Sequence, residues 1–274
     1  MNLREPSLPA GWYPRQKSMV EDFLAPFKHS GASPAAIAPH AGWYYSGKTA
    51  PLAVASLDPS AETVAVIGGH LPPGMPILLA AEDGVETPLG IMEIDKELRK
   101  EFENRVSSRP DNYNDNTVEV LLPIVRYFFP EARLLWMRFP AGLLSFDAGK
   151  LLEDAAKALK RRIVVLGSTD LTHYGDNYGF SPKGKGKAAL EWVKKENDAS
   201  LISAVLDNDP YLVLKRADED YSACSVGAIL GVMGFIASLA KNAKLLEYTT
   251  SVDVVENNGQ IPSSFVGYAA ISWV

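Results

Sequence analysis

Short apolar runs alternate with longer amphipathic segments along the chain. Runs that are apolar or β-branched and bounded by turn residues predict β-strands at Ala35–Pro39, Thr63–Ile67, Leu134–Phe139, Ile163–Leu166, Thr249–Val255 and Phe265–Trp273. Segments with apolar residues at helical spacing predict helices at Ser18–Phe27, Lys48–Ser56, Asn116–Phe129, Phe146–Lys160, Leu190–Leu206 and Ser225–Ala240. Because strands alternate with helices, we expect a single three-layer α/β domain over residues 1–274, with helices on both faces of a mixed, largely parallel sheet. The sequence Asn257-Asn258-Gly259 predicts a turn that joins the last two strands as an antiparallel pair.

One apolar segment is about as long as a membrane span. From Tyr221 to Ala240 the chain carries no charged side chain, and Gly227 and Gly231 form a Gly-x-x-x-Gly pair of the kind found in membrane helices. However, four of its residues are Ser or Cys, and no second hydrophobic stretch accompanies it. A helix that is apolar on all sides can lie buried in a large α/β protein, and we therefore predict a buried helix here.

Composition and charge exclude several classes of protein. The chain of 274 residues is 47% hydrophobic and 22% charged, which is too apolar for a disordered chain. Its net charge of −6 argues against a nucleic-acid or polybasic membrane partner. One cysteine excludes an internal disulfide framework, and the N-terminus shows no apolar stretch typical of a signal peptide. We expect a cytoplasmic protein.

Three of the four histidines follow predicted strands. His40, His70 and His173 each lie at or shortly after an apolar β run, whereas His29 lies in a polar turn that we expect at the surface. In open α/β sheets, ligands bind beyond the carboxyl ends of the strands. The three histidines therefore predict a shared site at that edge of the sheet.

Two histidines with one anionic ligand can bind a divalent transition metal and leave positions open for a substrate. The residues offer two candidates for the anionic ligand, and both stay open: Asp170, which shares a loop with His173, and Cys224, at the start of the apolar helix. A free cysteine is also commonly just a small buried residue. In the Asp-x-x-His pair, the Asp170 carboxylate could orient His173 as a general base.

Aromatic side chains cluster near these histidines in the sequence. Tyr44 and Tyr174 are candidates for pocket walls, which would suit a small aromatic or planar ligand. The glycine- and lysine-rich segment 181–187 lacks the spacing of a phosphate-binding loop, and we interpret it as a solvated loop.

Several motifs together resemble a known family. They are Ala10-Gly-Trp-Tyr-Pro14, Ile37-Ala-Pro-His-Ala-Gly-Trp-Tyr-Tyr-Ser-Gly47, Ser168-Thr-Asp-Leu-Thr-His-Tyr-Gly175, Ala223-Cys-Ser-Val-Gly-Ala-Ile229 and Ser264-Phe-Val-Gly-Tyr-Ala-Ala270. In this order they resemble the Memo family, whose prokaryotic members are called AmmeMemoRadiSam system protein B. The resemblance runs nearly from end to end of the chain.

The resemblance implies a fold like that of the class III extradiol dioxygenases, which are non-haem iron enzymes that open catechol rings. It assigns His40, His70 and Cys224 to the metal site, with Fe(II) as the expected ion and copper as the alternative. It assigns His173 and Asp170 to acid–base catalysis. Because such genes often neighbour one for a radical SAM protein, the resemblance also suggests a radical SAM protein as a partner.

The chain departs from the family in one helix. Members commonly show His-Ser-x-Glu-x-His-Leu-Pro, whereas this chain reads Asn116-Thr-Val-Glu-Val-Leu-Leu-Pro123, which keeps Glu119 but replaces both histidines, with Asn116 and Leu121. We expect these side chains to line the pocket, so the substrate, the metal or catalysis itself can differ from other members. Two functions stay open: a metal-dependent oxidoreductase acting on a small, aromatic molecule, and a non-catalytic module that binds a peptide or small ligand.

Overall fold

Strands and helices alternate through residues 1–239, 241–255 and 260–274, which the computed structural model describes. The strands in this part of the chain are β1 (Leu3–Arg4), β2 (Ala35–Ala38), β3 (Thr63–Leu71), β4 (Ile77–Leu79), β5 (Gly84–Thr87), β6 (Gly90–Glu93), β7 (Ser108–Pro110), β8 (Arg133–Pro140), β9 (Ile163–Ser168), β10 (His173–Gly175), β11 (Ala243–Thr250) and β12 (Ser264–Trp273). The helices are α1 (Lys17–Leu24), α2 (Trp43–Ser46), α3 (Ala50–Ser56), α4 (Lys96–Glu103), α5 (Asn116–Glu119), α6 (Leu122–Phe128), α7 (Leu144–Ala158), α8 (Lys187–Trp192), α9 (Asp198–Leu206), α10 (Pro210–Glu219), α11 (Val226–Ile236) and α12 (Ser251–Val254). A 3₁₀ turn follows β10 at Asp176–Tyr178, and a π-helical turn at Val193–Asn197 joins α8 to α9.

The main sheet has the strand order β10-β12-β2-β9-β3-β8-β4-β7, and β11 pairs with β12. Its centre consists of β2, β9, β3 and β8, which run parallel to one another. On either side, β12 is antiparallel to β2 and β4 is antiparallel to β8. A smaller sheet contains β1, β5 and β6. The predicted fold class, an α/β protein with a mixed, largely parallel sheet, is confirmed.

Helices cover both faces of the central strands. Because side chains alternate between the faces of a strand, Ile37 and Ile67 pack on one face with α7 and α11. Val64 and Val66 point to the other face, where they pack with α3 and α6. These two core clusters explain why the central strands are apolar along their whole length, as expected for strands buried on both sides.

The apolar helix α11 is fully buried against the sheet and α7. Every one of its residues from Val226 to Ile236 is buried. Glycines let it come close to its neighbours: a Cβ on Gly231 or Gly149 would collide with the facing element. The prediction of a buried helix therefore holds, and within the described residues no helix is both long and apolar enough to cross a membrane.

The predicted strand Thr249–Val255 is wrong over most of its length. The strand β11 ends at Thr250, and Ser251–Val254 forms the short helix α12. Thr250 starts this helix with a capping box, since its backbone N–H and hydroxyl both donate to the Asp253 carboxylate at 2.9 and 2.8 Å. The capping box therefore favours a helix here more strongly than the β-branched side chains of this segment favour a strand. The predicted turn at 257–259 lies outside the described residues, but β11 and β12 do pair antiparallel.

The predicted helix Asn116–Phe129 consists of two helices, α5 and α6. Pro123 has no backbone N–H to donate to the carbonyl of Glu119, and the helix is interrupted at this point. The break separates α5, which approaches the end of β3, from α6, which packs in the core.

We expect Gly149→Ala to destabilise the protein, although alanine favours a helix by about 1 kcal/mol over glycine. Its methyl group would overlap the carbonyl oxygen of Gly231 and force α7 away from α11, at a cost of about 1–3 kcal/mol. Urea unfolding measures the change. Lys150→Ala, one residue along the same helix and half exposed, should be nearly neutral. A Gly149→Ala variant at least as stable as the wild type would contradict close packing here.

Candidate functional site

Adjacent strands bring the candidate residues to one edge of the sheet. His40 follows β2, Asp170 follows β9 and His70 lies near the end of β3. These strands are neighbours and run parallel, so their carboxyl ends lie side by side. Cys224 precedes α11, which packs on the same strands. The structure therefore brings four of the predicted site residues together.

Three of these residues form a group with the spacing of a metal site. One ring nitrogen each from His40 and His70 and the sulfur of Cys224 all lie within 4.8 Å of one another. The Cys224 Sγ atom is 3.2 Å from Nε2 of His40. His40 is buried, and the side chain of His70 is one-third exposed (33%). Two imidazoles and a thiolate suit iron, copper or zinc, so the donor set fits a transition metal.

A hydrogen bond to the rest of the protein occupies the Nδ1 atom of each histidine, so that Nε2 is the nitrogen left to face Cys224. Nδ1 of His70 lies 3.0 Å from the Asp115 carboxylate, which can only accept. Nδ1 of His40 lies 2.9 Å from the hydroxyl of Ser168. Since that hydroxyl donates its own proton to the carbonyl of Thr117, it accepts from His40. In both histidines Nδ1 therefore carries a proton, and Nε2 is the nitrogen that can bind a metal ion once the ion displaces the proton there.

The electrostatics of the group favour a thiolate. Burial raises the pKa of Cys224, but His40 and His70 overcome this effect and hold the pKa well below its usual value. Burial lowers the pKa of His70, whereas its hydrogen bonds to Asp115 and Cys224 raise it to about 10. Burial likewise lowers the pKa of His40, and the charges of Cys224 and Asp170 raise it above the usual value. A bound cation could replace the protons that compensate the thiolate charge.

Asp170 does not orient His173 as predicted. Its Oδ1 accepts the backbone N–H of His40 at 2.7 Å, and its own N–H donates to the Cys224 sulfur at 3.3 Å. Nδ1 of His173 instead donates to the carbonyl of Leu171 at 3.1 Å. The carboxylate is buried and satisfied by the His40 backbone, and burial raises its pKa. Because a carbonyl only accepts, Nδ1 of His173 carries a proton, and Nε2 is the ring nitrogen that could act as a base.

A cavity of about 770 Å³ lies beside the group. His40, His70, Asp170 and His173 line it, and aromatic walls come from Trp12, Tyr45, Tyr178, Phe265 and Tyr268. Its size is that of a site for a small organic molecule.

The two aromatic residues predicted to line the pocket, Tyr44 and Tyr174, do not line the cavity. Tyr44 is 65% exposed and packs edge-on against Tyr45, with ring centroids 5.0 Å apart, and it is Tyr45 that lines the cavity. Tyr174 is buried and stacks on Phe265. Its hydroxyl accepts from the backbone N–H of Lys183 and donates to the carbonyl of Gly184, so it fixes the lysine-rich loop.

Glu119 was expected in the pocket, but it holds the N-terminal segment. Its carboxylate accepts from the N–H and hydroxyl of Ser7 at 2.8 and 2.6 Å, from the N–H of Leu8 at 3.1 Å and from the Tyr13 hydroxyl at 2.8 Å. The residues between these contacts, Ala10 to Trp12, form one wall of the cavity. Glu119 therefore shapes the cavity without lining it.

The two positions that depart from the family differ in their surroundings. Asn116 lines the cavity, and its side-chain amide donates to the backbone carbonyl of His40 at 3.0 Å. Leu121 is buried in a core cluster with α3 and α6. The expectation that Leu121 lines the pocket is wrong, because its side chain packs in the core and does not reach the cavity.

Sequence reasoning missed Asp115 and Arg138. Asp115 contacts His70, as described above, and Nη2 of Arg138 lies 3.2 Å from the same carboxylate. Arg138 is buried on β8, and its Nε donates to the carbonyl of Gly69 at 2.9 Å. A single arginine within the apolar run Leu134–Phe139 was the available signal, since charged residues are seldom buried without a partner.

Comparisons with known proteins agree with the motifs. A family model described as Memo-like protein matches residues 4–272. A MEMO1 family protein of Pyrococcus abyssi is 32% identical over 291 residues, and one of Thermococcus onnurineus is 30% identical, each alignment covering 98% of both chains. A solved structure of an uncharacterized protein from Escherichia coli K12 is similar with a TM-score of 0.46 and 11% identity, covering 87% of this chain and 99% of that one.

We expect Glu119→Gln to loosen the N-terminal wall of the cavity. An amide has only one accepting oxygen, so some of the donors of Ser7, Leu8 and Tyr13 lose their partner, at a cost of roughly 1–3 kcal/mol. Urea unfolding measures the loss, and hydrogen exchange should accelerate at residues 7–13. The exposed Glu62→Gln serves as control and should leave the urea unfolding curve nearly unchanged. Unchanged exchange at residues 7–13 would refute the anchoring role.

Proposed function

The chain belongs to the Memo-like protein family. From this membership and from the geometry of the site, we propose that the protein is a metal-dependent oxidoreductase related to the extradiol dioxygenases. The observation that carries the proposal is the convergence of His40, His70 and Cys224, whose ligand atoms lie within 4.8 Å of one another beside an aromatic-lined cavity. These three residues would bind Fe(II), or copper as the alternative ion.

The donors are prepared for a cation before one binds. The low pKa of Cys224 supplies a thiolate, and a cation that replaces the proton on Nε2 of each imidazole would meet both ring nitrogens beside that sulfur. The Asp170 carboxylate accepts from the backbone N–H of His40, and the backbone N–H of Asp170 donates to the Cys224 sulfur, so Asp170 supports two ligands at once. A bound iron or copper ion would supply Lewis acidity and redox chemistry towards dioxygen.

The cavity favours a small phenolic substrate. Its volume of about 770 Å³ and its walls of Tyr45, Tyr178 and Tyr268 suit a planar ring. His173 also lines the cavity, and its free Nε2 can accept the proton of a substrate hydroxyl. For a catechol, dioxygen is the oxidant and both of its oxygen atoms enter the ring-opened product, so no further reductant is required.

Metal content tests the proposed ligands. Protein purified anaerobically and reconstituted with Fe(II) should hold close to one ion per chain by mass spectrometry. His40→Ala and Cys224→Ser should lose most of it, because each removes a ligand. His29→Ala is the matched control and should keep the ion, since His29 bonds the carbonyl of Phe128 and is not one of the three ligand residues.

Wild-type protein that stays empty after reconstitution with either Fe(II) or copper would overturn the proposal. A peptide or small ligand bound equally well by wild type and His40→Ala would then favour the binding module.

His173→Gln separates acid–base catalysis from metal binding. We expect the variant to keep its metal, because His173 is outside the ligand group. Its kcat for oxygen uptake with a catechol should fall roughly 10²–10⁴-fold, the usual contribution of a positioned base. An oxygen electrode measures the rate, with His29→Gln as the control. A kcat equal to that of the wild type would exclude His173 as the base.

A further inference from the structure

We propose that Asp115 and Arg138 are positioning residues of this site, which hold His70 with its Nε2 atom towards Cys224 and His40. The proposal rests on the proposed function in one respect, that His70 is a metal ligand. Neither residue touches the cavity's substrate space directly: Asp115 bonds the far nitrogen of the imidazole, and Arg138 bonds Asp115. They would act on the metal through His70.

Three hydrogen-bond donors and one ion-pair partner surround the two oxygens of the Asp115 carboxylate. Oδ2 lies 3.0 Å from Nδ1 of His70 and 3.2 Å from Nη2 of Arg138. Oδ1 accepts from the backbone N–H of Thr117 at 2.9 Å and from the Thr117 hydroxyl. Only a carboxylate accepts on both oxygens, whereas an amide at this position would meet at least one of these donors with its own N–H group.

The backbone next to His70 is held by the same network. The N–H of Gly69 donates to the Thr117 hydroxyl at 3.2 Å, and the carbonyl of Gly69 accepts from Nε of Arg138 at 2.9 Å. His70 itself has a φ of +57°, a conformation that residues with a side chain adopt uncommonly and at a cost in energy. The contacts of Asp115, Thr117 and Arg138 on both sides of this corner hold the backbone in that conformation.

Arg138 is fixed from its other side. Its Nη1 lies 3.4 Å from Oδ1 of Asp111, and Oδ2 of Asp111 accepts from the indole N–H of Trp136 at 2.9 Å. The side chains of Arg138 and Asp111 are 4% and 0% exposed. A buried guanidinium between two carboxylates is rigid, so it transmits a fixed position to Asp115. The order of contacts is Asp111, Arg138, Asp115 and His70.

A simpler role for Asp115 is to cap the helix α5, since it precedes Asn116 and accepts from the N–H of Thr117. Asparagine caps helices as well as aspartate does. Asp115→Asn can therefore keep the cap while it disturbs the bond to His70, and it distinguishes the two roles. Asp95 provides a matched control, because it caps α4, accepts from Leu98 and lies 3.3 Å from Arg161, yet it is remote from the site.

The test compares Asp115→Asn, Asp95→Asn and wild type in an anaerobic Fe(II) titration against a chelator. We expect Asp115→Asn to bind Fe(II) about 10–100-fold more weakly, the usual effect of removing the partner of a ligating histidine. Asp95→Asn should bind like wild type. Arg138→Gln should lose less, and the double variant should be close to Asp115→Asn alone, because both residues act through His70.

A second readout needs no metal. The Nδ1–H proton of His70 should give a low-field, slowly exchanging NMR signal, assigned by its absence in His70→Ala. We expect the signal to shift or vanish in Asp115→Asn and to persist in Asp95→Asn. If wild type binds no Fe(II), the proposed function fails, and this signal alone decides the positioning role. An Asp115→Asn variant with wild-type affinity or an unchanged Nδ1–H signal would overturn the inference.

Discussion

The close approach of α11 to the end of the sheet is the constraint on which the site depends. A Cβ on Gly69 would collide with Ser225, and a Cβ on Gly227 would collide with the carbonyls of Phe139 and Pro140. Glycine at both positions lets the start of α11 lie directly on the ends of β3 and β8. As a result the Cys224 sulfur comes within 3.2 Å of Nε2 of His40. A bulkier residue at either contact would force the start of α11 to shift away from the sheet.

The part of the fold that could be predicted from the sequence is its centre. Strands such as β3 and β8 are buried on both faces, so their sequences are continuous apolar runs. Short edge strands carry no such signal: β7, Ser108–Pro110, has a polar and partly exposed sequence and forms only through its pairing with β4. At Thr250 a capping box starts a helix where the β-branched composition predicted a strand. The box depends on two side chains, so the periodicity of apolar residues does not reveal it.

The site residues that could be predicted from the sequence are those that lie at the ends of strands. His40 and His70 could be found because parallel strands deliver their carboxyl ends to one edge. Whether Asp170 or Cys224 is the anionic ligand depends on where α11 packs in the folded protein. The spacing of residues along the sequence does not reveal that position. Glu119 and Asp115 could not be placed from the sequence, since each carboxylate binds a segment more than forty residues away along the chain. Hydrogen bonds between segments so distant in the sequence produce no periodic pattern of residues that could have predicted them.

Sulfur ligation is the central claim, because it alone connects the buried thiolate, the two imidazoles and the proposed chemistry. X-ray absorption at the iron edge of Fe(II)-reconstituted protein measures it most directly. We predict one sulfur and at least two imidazole nitrogens in the shell around iron, with the sulfur contribution absent in Cys224→Ser. A shell of nitrogen and oxygen alone in the wild-type protein would contradict the account and remove Cys224 from the site.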